Sequence, residues 1–192
     1  MNIQHIIHYS FNDALSSLVM GTSPRSLARA RERVFFKALA ARLEAALTDA
    51  DIRIFSAYGR GNLDDFGTEH LLYDIQVCRI SSSHTADRKR ESFCYIAAAL
   101  WQIEIDFSRD LRGAIFAINR LTGGGAENKL IIAAQPKSGR KTFINTLKAP
   151  AAACSGERWL ALIPHPQDWD DDRHPLDIWQ FDGGDWLAAQ QP

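Results

Sequence analysis

The stretch ALWQIEIDF, residues 99–107, constrains this chain more than any other. Side chains in a strand alternate between faces, so Trp101, Ile103, Ile105 and Phe107 point one way while Gln102, Glu104 and Asp106 point the other. The apolar set demands a buried sheet face. The polar set then places two carboxylates side by side on the opposite face of a strand whose approach, FCYIAAAL (93–100), is itself apolar. A second run, LLYDIQVCRI (71–80), reads as a strand in which Asp74, Gln76 and Cys78 share a face. If the two runs are neighbours, Asp74 comes near Glu104 and Asp106. Burying several unpaired carboxylates is costly, so such a cluster calls for a cation, bound protons or an opening to solvent.

The surrounding pattern supplies the scaffold. Ser23 and Pro24 mark a helix start, and Phe35, Leu39, Leu43 and Leu47 recur every four residues along 24–47. Glu32 lies at the edge of that stripe, three residues before Phe35. IRIFSAY (52–58) reads as a strand and GRGNLDDFG (59–67) as turns, followed by the strand 71–80, a polar loop 81–92 and the strand 93–107. A helix follows over 109–125, then the strand NKLIIAA (128–134), a short helix within 138–148 and the strand RWLALIPHP (158–166). PLDIWQF (175–181) and Trp186 give a last strand and a packed terminus. The expected architecture is α/β, one mixed sheet flanked by helices on both faces. The 192 residues, 46% of them apolar, fit one domain spanning 1–192.

Charge is uneven. Residues 151–192 hold two basic and eight acidic residues, or −6, which leaves +5 on residues 1–150. Basic groups gather in 25–42, in Arg88-Lys89-Arg90 and in 137–148, as they would on a chain tracking phosphates, although solvated faces look the same. The acidic segment 151–192 is expected to pack on the rest, away from nucleic acid. Cys78, Cys94 and Cys154 form no CxxC pair and are odd in number, which argues against a disulfide framework or structural zinc. No run of about 18 apolar residues and no secretory signal is visible, so a cytoplasmic protein without a membrane partner is expected.

A long helix carrying Glu32, a strand with Asp74 (LLYDIQV), a strand with Glu-x-acid (QIEIDF), then a helix and another strand resemble the layout of the restriction-endonuclease-like, or PD-(D/E)XK, nuclease superfamily. The resemblance covers roughly residues 24–135. It departs at Tyr73, where the superfamily has proline, and at Asp106, where it usually has lysine; some type II restriction enzymes also carry an acidic residue there. The resemblance implies a restriction-endonuclease-like mixed sheet and a bacterial-type, metal-dependent endonuclease acting on DNA. Asp74, Glu104 and Asp106 would hold Mg2+ or Mn2+, with Asp106 taking the lysine's place near the attacking water. Gln102 would be an accessory polar group, and Glu32 would brace the cluster from the helix. Nucleases of this superfamily often pair to cut both strands, which allows a homodimer, though no coiled coil or apolar stripe in the sequence specifies an interface.

Three features compete with this reading. Glu104 and Asp106 could pair with arginines such as Arg79 or Arg109, leaving a non-catalytic binding or regulatory module, or an immunity or adaptor factor that meets a partner through its acidic end. Lys129 reads as a solvated strand end, with substitution for the missing lysine as the alternative. DWDDDRHP (168–175) reads as a solvated acidic loop, because its spacing fits neither a calcium loop nor a zinc motif.

Overall fold

The computed structural model describes residues 1–84, 92–170 and 175–189. The basic triplet at 88–90 and the centre of the acidic run at 171–174 lie outside the described residues. One seven-stranded sheet, in the order β1-β2-β3-β4-β5-β6-β7, organises the chain. Its strands are β1 (Ile52–Ser56), β2 (Ile75–His84), β3 (Ser92–Asp106), β4 (Asn128–Ala134), β5 (Glu157–Ile163), β6 (Asp177–Asp182) and β7 (Asp185–Ala188). β1, β2 and β3 form an antiparallel meander, β3, β4 and β5 run parallel, and β6 and β7 return antiparallel. The acidic C-terminal segment therefore extends the sheet as three of its strands.

Helices cover both faces, as expected. α1 (Ile3–Ser16) and α2 (Pro24–Ala46) pack on the face that carries Ile75, Val77, Ile103, Leu130, Ile132 and Ala161. α4 (Leu111–Thr122), α5 (Arg140–Thr146) and α6 (Lys148–Ala153) cover the face that carries Ile131, Ala133, Leu160 and Leu162. Central β4 is buried from Leu130 to Ala134 because both faces are covered, which is why it reads as a continuous apolar run. A one-turn helix, α3 (Leu63–Phe66), sits in the turn-rich segment after β1.

α2 begins where the sequence indicates. Ser23 and Ser26 exchange side-chain and backbone hydrogen bonds in a capping box, Pro24 fills the first turn, and Phe35, Leu39, Ala40 and Leu43 form its buried stripe. α1 is an additional element. Asn2 caps it by accepting the amides of Gln4 and His5, and Ile3, Ile6, Ile7, Ser10, Phe11 and Ala14 recur with helical spacing on its buried face.

The bounds of β2 differ most from expectation, while β1 and β5 end two and three residues early, at Ser56 and Ile163. β2 starts at Ile75 rather than at 71, leaving Asp74 at its threshold, and continues through the serines expected in a loop. Ser81, Ser82 and Ser83 pair with Tyr95, Cys94 and Phe93, so the hydrogen-bond ladder to β3 overrides the poor strand propensity of serine there.

Candidate metal and phosphodiester site

β2 and β3 bring the first two carboxylates together. Ile75 faces Ile103 and Gln76 faces Gln102 across an antiparallel ladder, a register that sets Asp74 opposite Glu104 on one face. Asp74 Oδ2 accepts the backbone N–H of Ile105 at 2.8 Å, locking its carboxylate against β3. Glu104 is 0% exposed, and its Oε1 is buried without a hydrogen-bond partner. Its other oxygen, Oε2, accepts the Arg120 guanidinium. Arg120 comes from the last turn of α4, where its side chain is 58% exposed, and stands 3.9 Å from Asp74.

The electrostatics follow from burial. Loss of solvent, reinforced by Asp74, pushes the Glu104 carboxyl up to about 8 despite Arg120. Burial also raises Asp74, opposed by the Ile105 amide, Arg120 and His70. Tyr73 is raised by burial and by the charge of Glu104. The pair therefore holds protons or cations more readily than exposed carboxylates would.

Asp106 shares the Glu104 face, but its carboxylate is turned into the β3–α4 connection, where Oδ1 accepts the Ser108 N–H at 3.1 Å and Oδ2 the Ser108 hydroxyl at 2.8 Å. Gly113 in the first turn of α4 makes room for this, since a Cβ there would overlap Asp106 Oδ2 and Ser108 Oγ. Glu32 is half-buried on α2; burial raises its pKa, Arg29 lowers it and Asp106 raises it. Glu32 thus feels the charge of Asp106 at the end of β3. Gln102 does not reach the carboxylates. It is buried with its Oε1 facing the Ala126 N–H at 3.5 Å, in the turn between α4 and β4. Among the described residues, no group of three or more His, Cys, Asp or Glu side chains is gathered as a metal site, and Asp106 acts on Asp74 through its charge.

The partners also differ from expectation. Arg79 pairs with Asp51 and Arg109 with Asp168, while Glu104 takes Arg120. Lys129 is not a solvated strand end. It is 1% exposed and donates from Nζ to Gly124 O at 2.7 Å and Ser155 Oγ at 3.1 Å, clamping the turn into β4. Four acids of the C-terminal segment are paired: Asp168, Asp170, Asp177 and Asp185 meet Arg109, Arg31, Arg140 and Lys148.

Two carboxylates suit a divalent ion of the magnesium class, which keeps several waters and is commonly held by one or two carboxylates plus substrate phosphates. The unpartnered Oε1 of Glu104 is an acceptor that such an ion would satisfy. Among the described residues, no helix is long and apolar enough to cross a membrane. Compared with protein-family models, with curated proteins and with solved structures, the chain shows no match.

Proposed function

We propose that this protein is a metal-dependent nuclease that hydrolyses DNA phosphodiester bonds, with Asp74 and Glu104 as the ligands of Mg2+ or Mn2+. The observation that carries the reading is Glu104: fully buried, opposite Asp74, with one oxygen unpartnered. The succession α2, β1, β2, β3, α4, β4, interrupted by the one-turn α3 after β1, with a glutamate on the helix and acids at Asp74 and Glu104, supports a restriction-endonuclease-like fold. A cytoplasmic setting belongs to the same reading and is supported by three cysteines that are all free thiols.

When bound, the ion would polarise a phosphoryl oxygen and acidify a water ligand. The chain's own groups do the rest. Asp106 accepts one proton of the attacking water as its oxygen bonds to phosphorus, the leaving P–O bond breaks and solvent protonates the leaving oxygen, with Glu32 bracing Asp106 from α2. Arg120 stands between the carboxylates and solvent, where a guanidinium meets an incoming phosphate with paired donors.

A second reading rests on one observation. The ion pair between Arg120 and Glu104 also describes a neutralised, non-catalytic cluster in a binding module. Incubating single-stranded DNA, double-stranded DNA and RNA with the protein plus Mg2+ or Mn2+ separates the two. Cleavage that Asp74→Ala and Glu104→Ala each abolish supports the nuclease; binding without cleavage of any substrate supports the module.

A further inference from the structure

The parallel strands β3, β4 and β5 end on one edge of the sheet, at Asp106, Ala134 and Ile163. In open α/β sheets, ligands bind in crevices beyond the carboxyl ends of such strands. Each connection leaving these strands delivers one nitrogen base to the same hollow: Arg109 after β3, Lys137 after β4 and His165 after β5. With Gln135, Asp168 and three prolines, these residues line a cavity of about 250 Å3.

The hollow is built rather than incidental. Arg109 has a left-handed backbone, φ 58°, a conformation uncommon outside glycine and typical of strained functional positions. Its side chain is 13% exposed and paired with Asp168, yet its Nε is buried without a hydrogen-bond partner. His165 accepts the Gln167 N–H on Nδ1 at 3.1 Å, which leaves Nε2 to carry the ring proton. Burial, then the charges of Arg109 and Lys137, hold this imidazole down at about 4, so all three groups act on one small volume. Lys137 is exposed and has no ion pair among the described residues. Two cations against one aspartate, with a neutral imidazole N–H beside them, favour a compact oxyanion.

We propose that this hollow binds a backbone phosphate of the nucleic-acid strand, a few nucleotides along from the phosphate held at the Asp74–Glu104 pair. The proposal rests on the nuclease reading for its ligand. Three residues of chain, at most about 11 Å, separate Asp106 from Arg109, or roughly three nucleotide steps at about 3.4 Å rise each. One strand can therefore occupy both places.

The test uses the full chain in EDTA, with fluorescence anisotropy on a labelled DNA across a salt series, and with cleavage in Mg2+ measured separately. Lys137→Ala, on an exposed side chain, keeps the fold; it should weaken binding about three- to tenfold and lower the log–log salt slope by about one. Lys137→Glu should weaken binding further, and His165→Ala should weaken it without changing the slope. If the wild type binds and cuts DNA while all three variants match it in affinity and slope, the hollow proposal is overturned and the nuclease reading stands. If the variants weaken binding but no substrate is cut, the hollow is upheld as part of a binding module and the nuclease reading falls. Thermal stabilisation by inorganic phosphate, with DNA affinity indifferent to Lys137, would make the hollow a free-oxyanion site and overturn the proposal. No DNA binding at low salt would overturn both.

Discussion

Arg120, in the last turn of α4, sets its guanidinium on the wholly buried carboxylate of Glu104, sixteen residues earlier on β3. The contact joins a mostly exposed cation to a carboxyl group that is itself wholly buried. It engages only one oxygen of Glu104; Oε1 meets no donor, and a proton on Glu104 is held in part by a hydrogen bond with Asp74. Burial of this carboxyl group favours its protonated form, so ionising it costs stability in the free protein.

Glu104 should make stability depend on pH. Its carboxyl rises from an ordinary 4.5 to about 8 on folding, so the folded chain keeps a proton that the unfolded chain loses. The resulting stabilisation is complete below about pH 4.5 and is lost as pH climbs through about 8, with a slope of at most about 1.4 kcal/mol per pH unit. Asp74 and Glu32, also raised, act in the same direction. Without divalent ions, denaturant titrations should show the wild type weakening from about pH 5 to about pH 8.5, and Glu104→Gln should flatten that slope and be the more stable protein at the upper end.

Gly113→Ala isolates the position of Asp106. The added methyl overlaps only the ends of the Asp106 and Ser108 side chains, which can swing away, while alanine favours α4 by up to about 1 kcal/mol. Thermal stability should therefore hold within about 1 kcal/mol while cleavage falls at least tenfold. Unchanged cleavage would remove Asp106 from the proton-accepting role.

Lys129 should prove structural. Lys129→Met leaves Gly124 O and Ser155 Oγ without their buried donor, a loss of about 1–3 kcal/mol. Tm should drop, and cleavage by the folded fraction should change less than tenfold. Abolished cleavage at unchanged Tm would reinstate Lys129 as the missing lysine of the resemblance.

These side chains show what a sequence can reveal. The period-two alternation around Glu104 and Asp74 states which residues share a face, and an antiparallel meander of short connections makes their strands neighbours. That much was legible. Arg120 was not, because the rotation of α4 over the sheet depends on how Ala114, Ala117, Ile118 and Leu121 pack against β3 and β4. Asp106 shares the expected face, yet a local hydrogen bond from Ser108 decides where its carboxylate turns, and alternation is blind to that. Lys129 became buried because the glycine turn folds its carbonyls back toward β4. The helical spacing of Ile3, Ile6, Ile7, Phe11 and Ala14 in α1 was present in the sequence, but its packing partner, α2, lies beyond the reach of a local pattern.

The most direct measurement is a calorimetric titration of the protein with Mn2+ and Mg2+ at about pH 8.5, where Glu104 is ionised, alongside Asp74→Asn and Glu104→Gln. One ion should bind per wild-type chain, and each single substitution should eliminate binding while circular dichroism stays unchanged. Wild-type protein that takes up neither ion at millimolar concentration, or variants that bind as the wild type does, would contradict the assignment of Asp74 and Glu104 as the metal ligands.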